Sequence, residues 1–424
     1  MESAMETSFL PLAKVLSVFA AMLLGIKYRL GIGLSILGGS ALTGLLFGIP
    51  VGEWLTIAAS SLIDFKLLLL AIIIVLIMVL SRIMEDTGQS KRLMEELSGL
   101  LTWPRMKLAF FPALIGLLPM PGGAVFSAPM IKSAAAGQNL TSKDKILINY
   151  WFRHIWELIW PLYPGIILAA HLSGIPLVKL IGYTWPGLII CLFLGWLFYL
   201  YPLKIKPRQQ KDNPDIFRAG PALYESWPLI MAIIGSLSLE ALVWSSTSAD
   251  PETGLVAGLF LAIVICSRQN RITAAKTLAF LKEKHLWQMV FVIITIFVFK
   301  GVLDKGGVVQ EIAGSIAGSS ALLFATACLP MLVGLISGIT LAFVGASFPL
   351  ILGILDQLGI QTNTPYVVLA LFSGYAGVMV SPIHICFILT CQFFQTNIAQ
   401  VWPRLFLPCI ILLLSGLGYF FILS

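Results

Sequence analysis

The sequence predicts an all-α polytopic membrane protein built as an inverted repeat, with five spanning helices and one re-entrant hairpin in each half. Three observations carry this. Charged residues make up 11% of the 424 residues and hydrophobic residues 58%, with a mean hydropathy of +0.95; a soluble chain carries about 25% charged residues. Apolar runs long enough to cross the hydrocarbon as helices recur along the whole length. A pattern of Pro, Gly and hydroxyl residues that interrupts such runs occurs twice, about 220 residues apart. Paired interruptions of this kind point to the binding site of a secondary transporter.

In the first half, residues 1–203, apolar runs predict spans at about 9–26, 30–49, 65–83, 147–172 and 177–202. Between the third and fourth lies an extra apolar stretch, about 106–135, read as a hairpin that enters and leaves on one side. Residues 204–225 are polar, hold three prolines and read as a solvated cytoplasmic linker. The second half, residues 226–424, repeats the plan. Its spans fall at about 227–246, 254–267, 287–303, 365–391 and 403–423, with a hairpin at about 320–356. Irregular backbone at membrane depth survives only under cover of protein or in a water-filled cavity. The N-terminus begins with Glu2 and Glu6 ahead of the first Lys, which does not read as a cleaved secretory signal.

Charge sorts the loops. With five spans per half, 21 of the 27 Lys and Arg fall on one side and five on the other, with Arg153 inside the membrane. The rich side is then cytoplasmic and both termini lie outside. Spanning the two hairpins fully would split the rich set. An odd number of spans per half inserts the second half upside down, so the hairpins enter from opposite sides. The net charge of +7 therefore reports topology and gives no sign of a nucleic-acid partner. The expected setting is a multi-pass protein of the cell (inner) membrane, surrounded by lipid.

The two copies of the interrupted pattern supply the candidate site. The first is LPMPGGAVFSAPM at 118–130 with NYWFRHIWELIWPLYPG at 149–165; the second is SGITLAFVGASFPL at 337–350 with GYAGVMVSPIHICF at 374–387. The triplet at 127–129 aligns with that at 347–349, and Trp160-Pro161 with Ser381-Pro382. At the first tip, Pro119, Pro121, Gly122 and Gly123 remove donors and allow close approach. A helix restarting there aims free N–H groups at an anion, with Ser127 one turn on. At the second tip, Ser337, Gly338 and Thr340, followed by Ser347, offer oxygens suited to a small cation. A kinked helix filling space, or small residues packing helix on helix, is the plainer reading of each.

Arg153, His154 and Glu157 are read as lying in one membrane-embedded helix. Arg153 and Glu157, four apart, would share a face and neutralise each other, and the cluster reads as a structural ion pair, a proton relay or a counter-charge for substrate. Ser381, Pro382 and His384 form the matching break, where His384 titrates near neutrality and could couple protons. No metal centre or cofactor is expected, since only His384 stands as a third ligand beside His154 and Glu157. The six cysteines, none in a C-x-x-C pair, read as small buried hydrophobes. Lys300 and Asp304, four apart, read as an ion pair near a span end.

These same motifs resemble those of the domain-of-unknown-function 401 family of prokaryotic integral membrane proteins, over nearly the whole chain. That family is grouped with the ion transporter superfamily, which includes carriers of dicarboxylates, citrate, gluconate and arsenite and some sodium/proton antiporters. The resemblance implies two hairpins and two broken helices meeting at a central site, and a homodimer. It places the tips at 119–123 and 337–340 and the breaks near Trp160-Pro161 and Ser381-Pro382. The Ser-Asn-Thr tips of the dicarboxylate branch are missing, so a dicarboxylate is not implied.

The resulting expectation is a secondary active transporter, not an enzyme. It would move a small organic anion coupled to Na+ or H+ by alternating access. Substrate contacts are expected from Pro119, Pro121, Gly122, Gly123, Ser127, Arg153, His154, Glu157, Trp160 and Pro161. Coupling-ion contacts are expected from Ser337, Gly338, Thr340, Ser347, Ser381, Pro382 and His384. The alternatives are a cation/proton antiporter and, from another class, an intramembrane enzyme acting on lipid-linked phosphates.

Overall fold

A computed structural model describes residues 2–98, 103–118, 123–205, 219–246, 252–313, 319–360 and 362–424. Every regular element among them is helical. Nine of the helical segments are long and apolar enough to cross a membrane: Leu10–Lys27, Phe65–Asp86, Leu177–Leu200, Ala219–Val243, Glu252–Gln269, Lys284–Lys305, Thr340–Gln357, Thr364–Phe393 and Pro403–Leu423. Large apolar side chains such as Leu45, Ile63 and Ile422 stay exposed on the periphery, as lipid-facing surface requires.

Several boundaries differ from the sequence reading. The span expected at 30–49 is a short helix, Ile32–Leu46, and a second helix follows at Val51–Leu62. Gly48, at φ 72°, and Pro50 separate them. The span expected at 147–172 is two helices, Ser142–His154 and Pro164–Ser173. The end of the linker is helical from Ala219, where Glu225 pairs with Arg92 at 2.8 Å; residues 206–218 lie outside the described residues.

The core centres on Thr364–Val380, whose side chains are almost all buried. It packs against Ser319–Ser337 on one side and Pro403–Leu423 on the other. Glycines permit the first contact. A Cβ on Gly377 would stand 2.1 Å from Met331 O, and one on Gly334 2.3 Å from Gly374 O. Small residues that bring helix backbones together are the usual means of packing where lipid offers no hydrophobic drive.

Helix pairs stand where the hairpins were expected. Pro104–Gly116 packs against Ala124–Ala134, and Ser319–Ser337 against Thr340–Gln357. The second turns at Gly338, whose φ of 65° suits a residue without a Cβ, and Gly338 N donates to Gly334 O at 2.8 Å. The tip 119–122 of the first pair lies outside the described residues.

Each ion pair seen among the described residues joins groups that the charge count puts on one face. Arg82–Glu283, Asp86–Lys276 and Asp144–Arg404 belong to the rich face; Lys14–Glu311 and His171–Glu252 belong to the poor one. Lys300 and Asp304 form no ion pair with each other. Both line a cavity of about 600 Å3 on the poor face, with Gln310, Asp356 and Asn363.

Candidate functional site

Proline chemistry sets both breaks. A residue before proline is pushed out of the helical region toward extended backbone. Tyr163, before Pro164, has φ −83° and ψ 123°; Ser381, before Pro382, has φ −68° and ψ 124°. The first helix stops at His154 and restarts at Pro164. The second stops at Val380 and restarts at Ile385. Glu157 therefore sits in the irregular stretch and not on a helical face with Arg153. Helical i,i+4 spacing therefore does not bring Arg153 and Glu157 together; the contacts seen are Arg153 with His154 and Cys386, and Glu157 with Thr340.

Each break leaves orphaned carbonyls that must find donors away from water. Two tyrosines exchange this service. Tyr375 Oη donates to His154 O at 2.7 Å, and Tyr150 Oη approaches Val378 O and Met379 O at 3.3 and 3.1 Å. Trp402 Nε1 donates to Val380 O at 2.6 Å. The end of Pro104–Gly116 is served in the same way. Trp156, Trp160 and Tyr163 donate to Ala113 O, Leu117 O and Gly116 O at 2.7, 2.7 and 2.6 Å. Trp160 thus fastens the first hairpin arm to the first break. Pro161 is buried beside it and Pro382 half-buried.

Between the breaks lies a buried polar cluster. Arg153, His154, Glu157, Ser381 and His384 are exposed by 7% or less. Arg153 Nη1 lies 3.2 Å from His154 Nε2 and donates to Cys386 Sγ at 3.3 Å. His154 Nε2 and His384 Nε2 are 2.9 Å apart. The outer ring nitrogens face backbone carbonyls, His154 Nδ1 to Tyr150 O at 2.6 Å and His384 Nδ1 to Gly338 O at 2.5 Å. The second tip closes on both breaks. Thr340 Oγ1 donates to Glu157 Oε2, and a Cβ on Gly165 would meet Thr340 Cγ2 at 2.5 Å. A Cβ on Gly338 would stand 3.1 Å from Ser381 Oγ, which is buried with no partner among the described residues. From the first hairpin, Gly123 lies so close to Arg153 that a Cβ would fall 2.4 Å from Nη2.

The structure thus brings together Gly123, Arg153, His154, Glu157, Gly338, Thr340, Ser381 and His384, with Ser337 buried at the same turn. Ser127 and Ser347 do not reach the cluster. Their hydroxyls donate to Ala124 O and Phe343 O on their own helices, at 3.3 and 2.6 Å. Pro119, Pro121 and Gly122 lie outside the described residues. The sequence reading missed Tyr150, Tyr375, Cys386 and Asn149. Asn149 Nδ2 bridges Ala124 O and Thr390 Oγ1 at 3.3 and 3.1 Å. The signal for Asn149 was available, since a buried amide in an apolar helix needs partners. Cys386 carried no sign in sequence beyond its place two residues after His384.

His154, His384 and Cys386 place three donor atoms within 4.8 Å of one another, a spacing that a metal ion could bridge. Arg153 already donates to two of the three. The helices beginning at Ala124 and Thr340 start without a side-chain cap, so the positive ends of their dipoles are not offset by a capping oxygen.

Comparison with known proteins agrees with this architecture. A solved structure described as the YdaH transporter of Alcanivorax borkumensis, of unusual topology, is similar with a TM-score of 0.50 at 14% identity, over 95% of this chain and 97% of that one. None of the curated proteins searched matches the chain. A family model described as a protein of unknown function (DUF401) matches residues 11–422. Spanning nearly the whole sequence, that match makes the chain a member of the DUF401 family.

Proposed function

We propose that the protein is a secondary active transporter that moves a small organic anion coupled to Na+ or H+. One observation carries this reading. Two broken helices and a hairpin tip meet, in an apolar membrane-crossing fold, at a buried polar cluster whose contacts join distant parts of the chain: Thr340 to Glu157 and His154 to His384. Ionisable groups held at such depth are costly and mark substrate or ion pathways. Arg153 and the uncapped helix starts at Ala124 and Thr340 supply positive potential for the anion. In this reading residues 1–203 and 226–424 are oppositely inserted halves in the inner membrane, and the protein works as a homodimer.

The test is flux into liposomes containing the purified protein. A panel of small organic anions is offered under imposed Na+ or pH gradients. Gradient-dependent uptake of at least one anion is the expected result; no flux of any of them under either gradient would sink the proposal. The His154–His384 contact favours one second reading, a cation/proton antiporter. An internal pH change on adding Na+ without an organic anion would decide for it.

A further inference from the structure

The hydrogen bonds around the two histidines fix where their protons sit. A carbonyl oxygen only accepts, so Nδ1 of His154, facing Tyr150 O, and Nδ1 of His384, facing Gly338 O, both carry hydrogen. Two neutral rings so protonated would meet lone pair to lone pair at their Nε2 atoms. Those atoms stand 2.9 Å apart, a hydrogen-bonding distance that requires one hydrogen between them. A guanidinium only donates, and Arg153 Nη1 lies 3.2 Å from His154 Nε2. His154 Nε2 is therefore the acceptor, its one lone pair divided between Arg153 and the nearer His384, and His384 Nε2 is the donor.

We infer that His154 and His384 hold one shared proton as an imidazole–imidazolium pair, and that this proton is the ion coupled to transport. The coupling role rests on the transport reading; the shared proton does not. The proton is taken from water on one side as an N–H bond forms at Nε2, and returned to water on the other as that bond breaks. While it is present it clasps the end of the first broken helix to the start of the restarted second one, beside the tip at Gly338. Without it the two Nε2 lone pairs repel and the breaks separate. Loading and release of one proton would thus be linked to whether the halves are joined at this point.

The Arg153 charge opposes any added cation, and a single proton less than a divalent ion. Arg153 and Cys386 face the pair directly, and Glu157 is tied to the same tip through Thr340. The Tyr150 ring packs on both imidazoles, at 4.9 and 5.3 Å between centroids, while its hydroxyl and that of Tyr375 are engaged on carbonyls. Residues 119–122 contribute no titratable side chain. A metal ion held by the same rings and Cys386 is the rival. The Arg153 guanidinium already engages two of those three atoms, and its charge repels a divalent ion more strongly than it repels one proton.

The test is nitrogen-15 NMR of the full chain, purified in micelles with ring-labelled histidine. The protein has only four histidines, His154, His171, His285 and His384. The expected result is one strongly downfield proton coupled to nitrogens of two different rings. It is lost in His154→Gln and in His384→Gln and kept in His285→Gln. Finding in the wild type that both rings are neutral Nδ1–H tautomers, with no proton between them, overturns the inference whatever the variants do. One equivalent of Zn2+ is expected to leave both ring signals in place; joint displacement of the His154 and His384 signals would assign a metal centre and overturn it as well. The two readings fail separately. Flux without the shared-proton signal defeats the pair alone, and the signal without any flux defeats transport alone.

Discussion

Tyr150 and Tyr375 carry hydroxyls across the contact between the broken helices, each to the other's orphaned carbonyls. The pair explains how irregular backbone persists in apolar surroundings without water to satisfy it. Thr340 does the equivalent for a side chain: it is the donor that the structure gives the buried Glu157 carboxyl. Its replacement by valine keeps the shape and removes the donor. An unsatisfied buried acceptor costs about 1–3 kcal/mol. Thr340→Val is therefore expected to lower the thermal unfolding temperature of the purified protein, while Thr340→Ser, which restores a hydroxyl, stays near wild type. Equal temperatures for all three proteins would show that Glu157 finds another partner and that the Thr340 contact does not matter.

At the scale of elements, the breaks were legible because proline states its demands locally. Trp160-Pro161 and Ser381-Pro382 lie inside the observed interruptions, and Gly338 turns the second hairpin as its lack of a Cβ permits. The length of each interruption was not legible. Reading 147–172 as one span placed Glu157 one turn from Arg153, whereas Pro164 acts back on Tyr163 and the helix stops at His154. Nor could one sequence show that Cys386 would face Arg153 or that Ser127 and Ser347 would turn back on their own helices, since these depend on rotation of packed helices. The same packing yields a prediction. The contact between Ser319–Ser337 and Thr364–Val380 leaves no room at Gly377, where a methyl would meet the Met331 carbonyl at 2.1 Å. Backbone on both sides has little freedom to yield, and overpacking costs about 1–3 kcal/mol or more. Gly377→Ala should reduce the yield of monodisperse protein and its unfolding temperature. Gly418→Ala, where a Cβ would meet nothing, should change neither.

For the whole molecule, orientation turns on charge, and the contacts sharpen what the count implies. The ion pairs bind the loops into two separate groups. Arg82, Asp86 and Arg92 join Glu283, Lys276 and Glu225 at one end, and Lys14 joins Glu311 at the other. Any orientation must carry each group across together. The rule that basic loops stay inside predicts a cytoplasmic place for the first group, which carries the excess of Lys and Arg. Lys91 is an exposed member of the first group, and Lys66 and Lys179, both also exposed, belong to the other. Single cysteines at these positions report the side directly, because five of the six native cysteines are buried and Cys328 serves as the background. In intact cells a membrane-impermeant maleimide is expected to label Lys66→Cys and Lys179→Cys above wild type. Lys91→Cys should react only after the membrane is opened. Labelling of Lys91→Cys in intact cells, with the other two protected, would invert the protein and place both termini in the cytoplasm. Labelling of Lys66→Cys but not Lys179→Cys would break the five-span count of the first half, and with it the opposite insertion of the two halves.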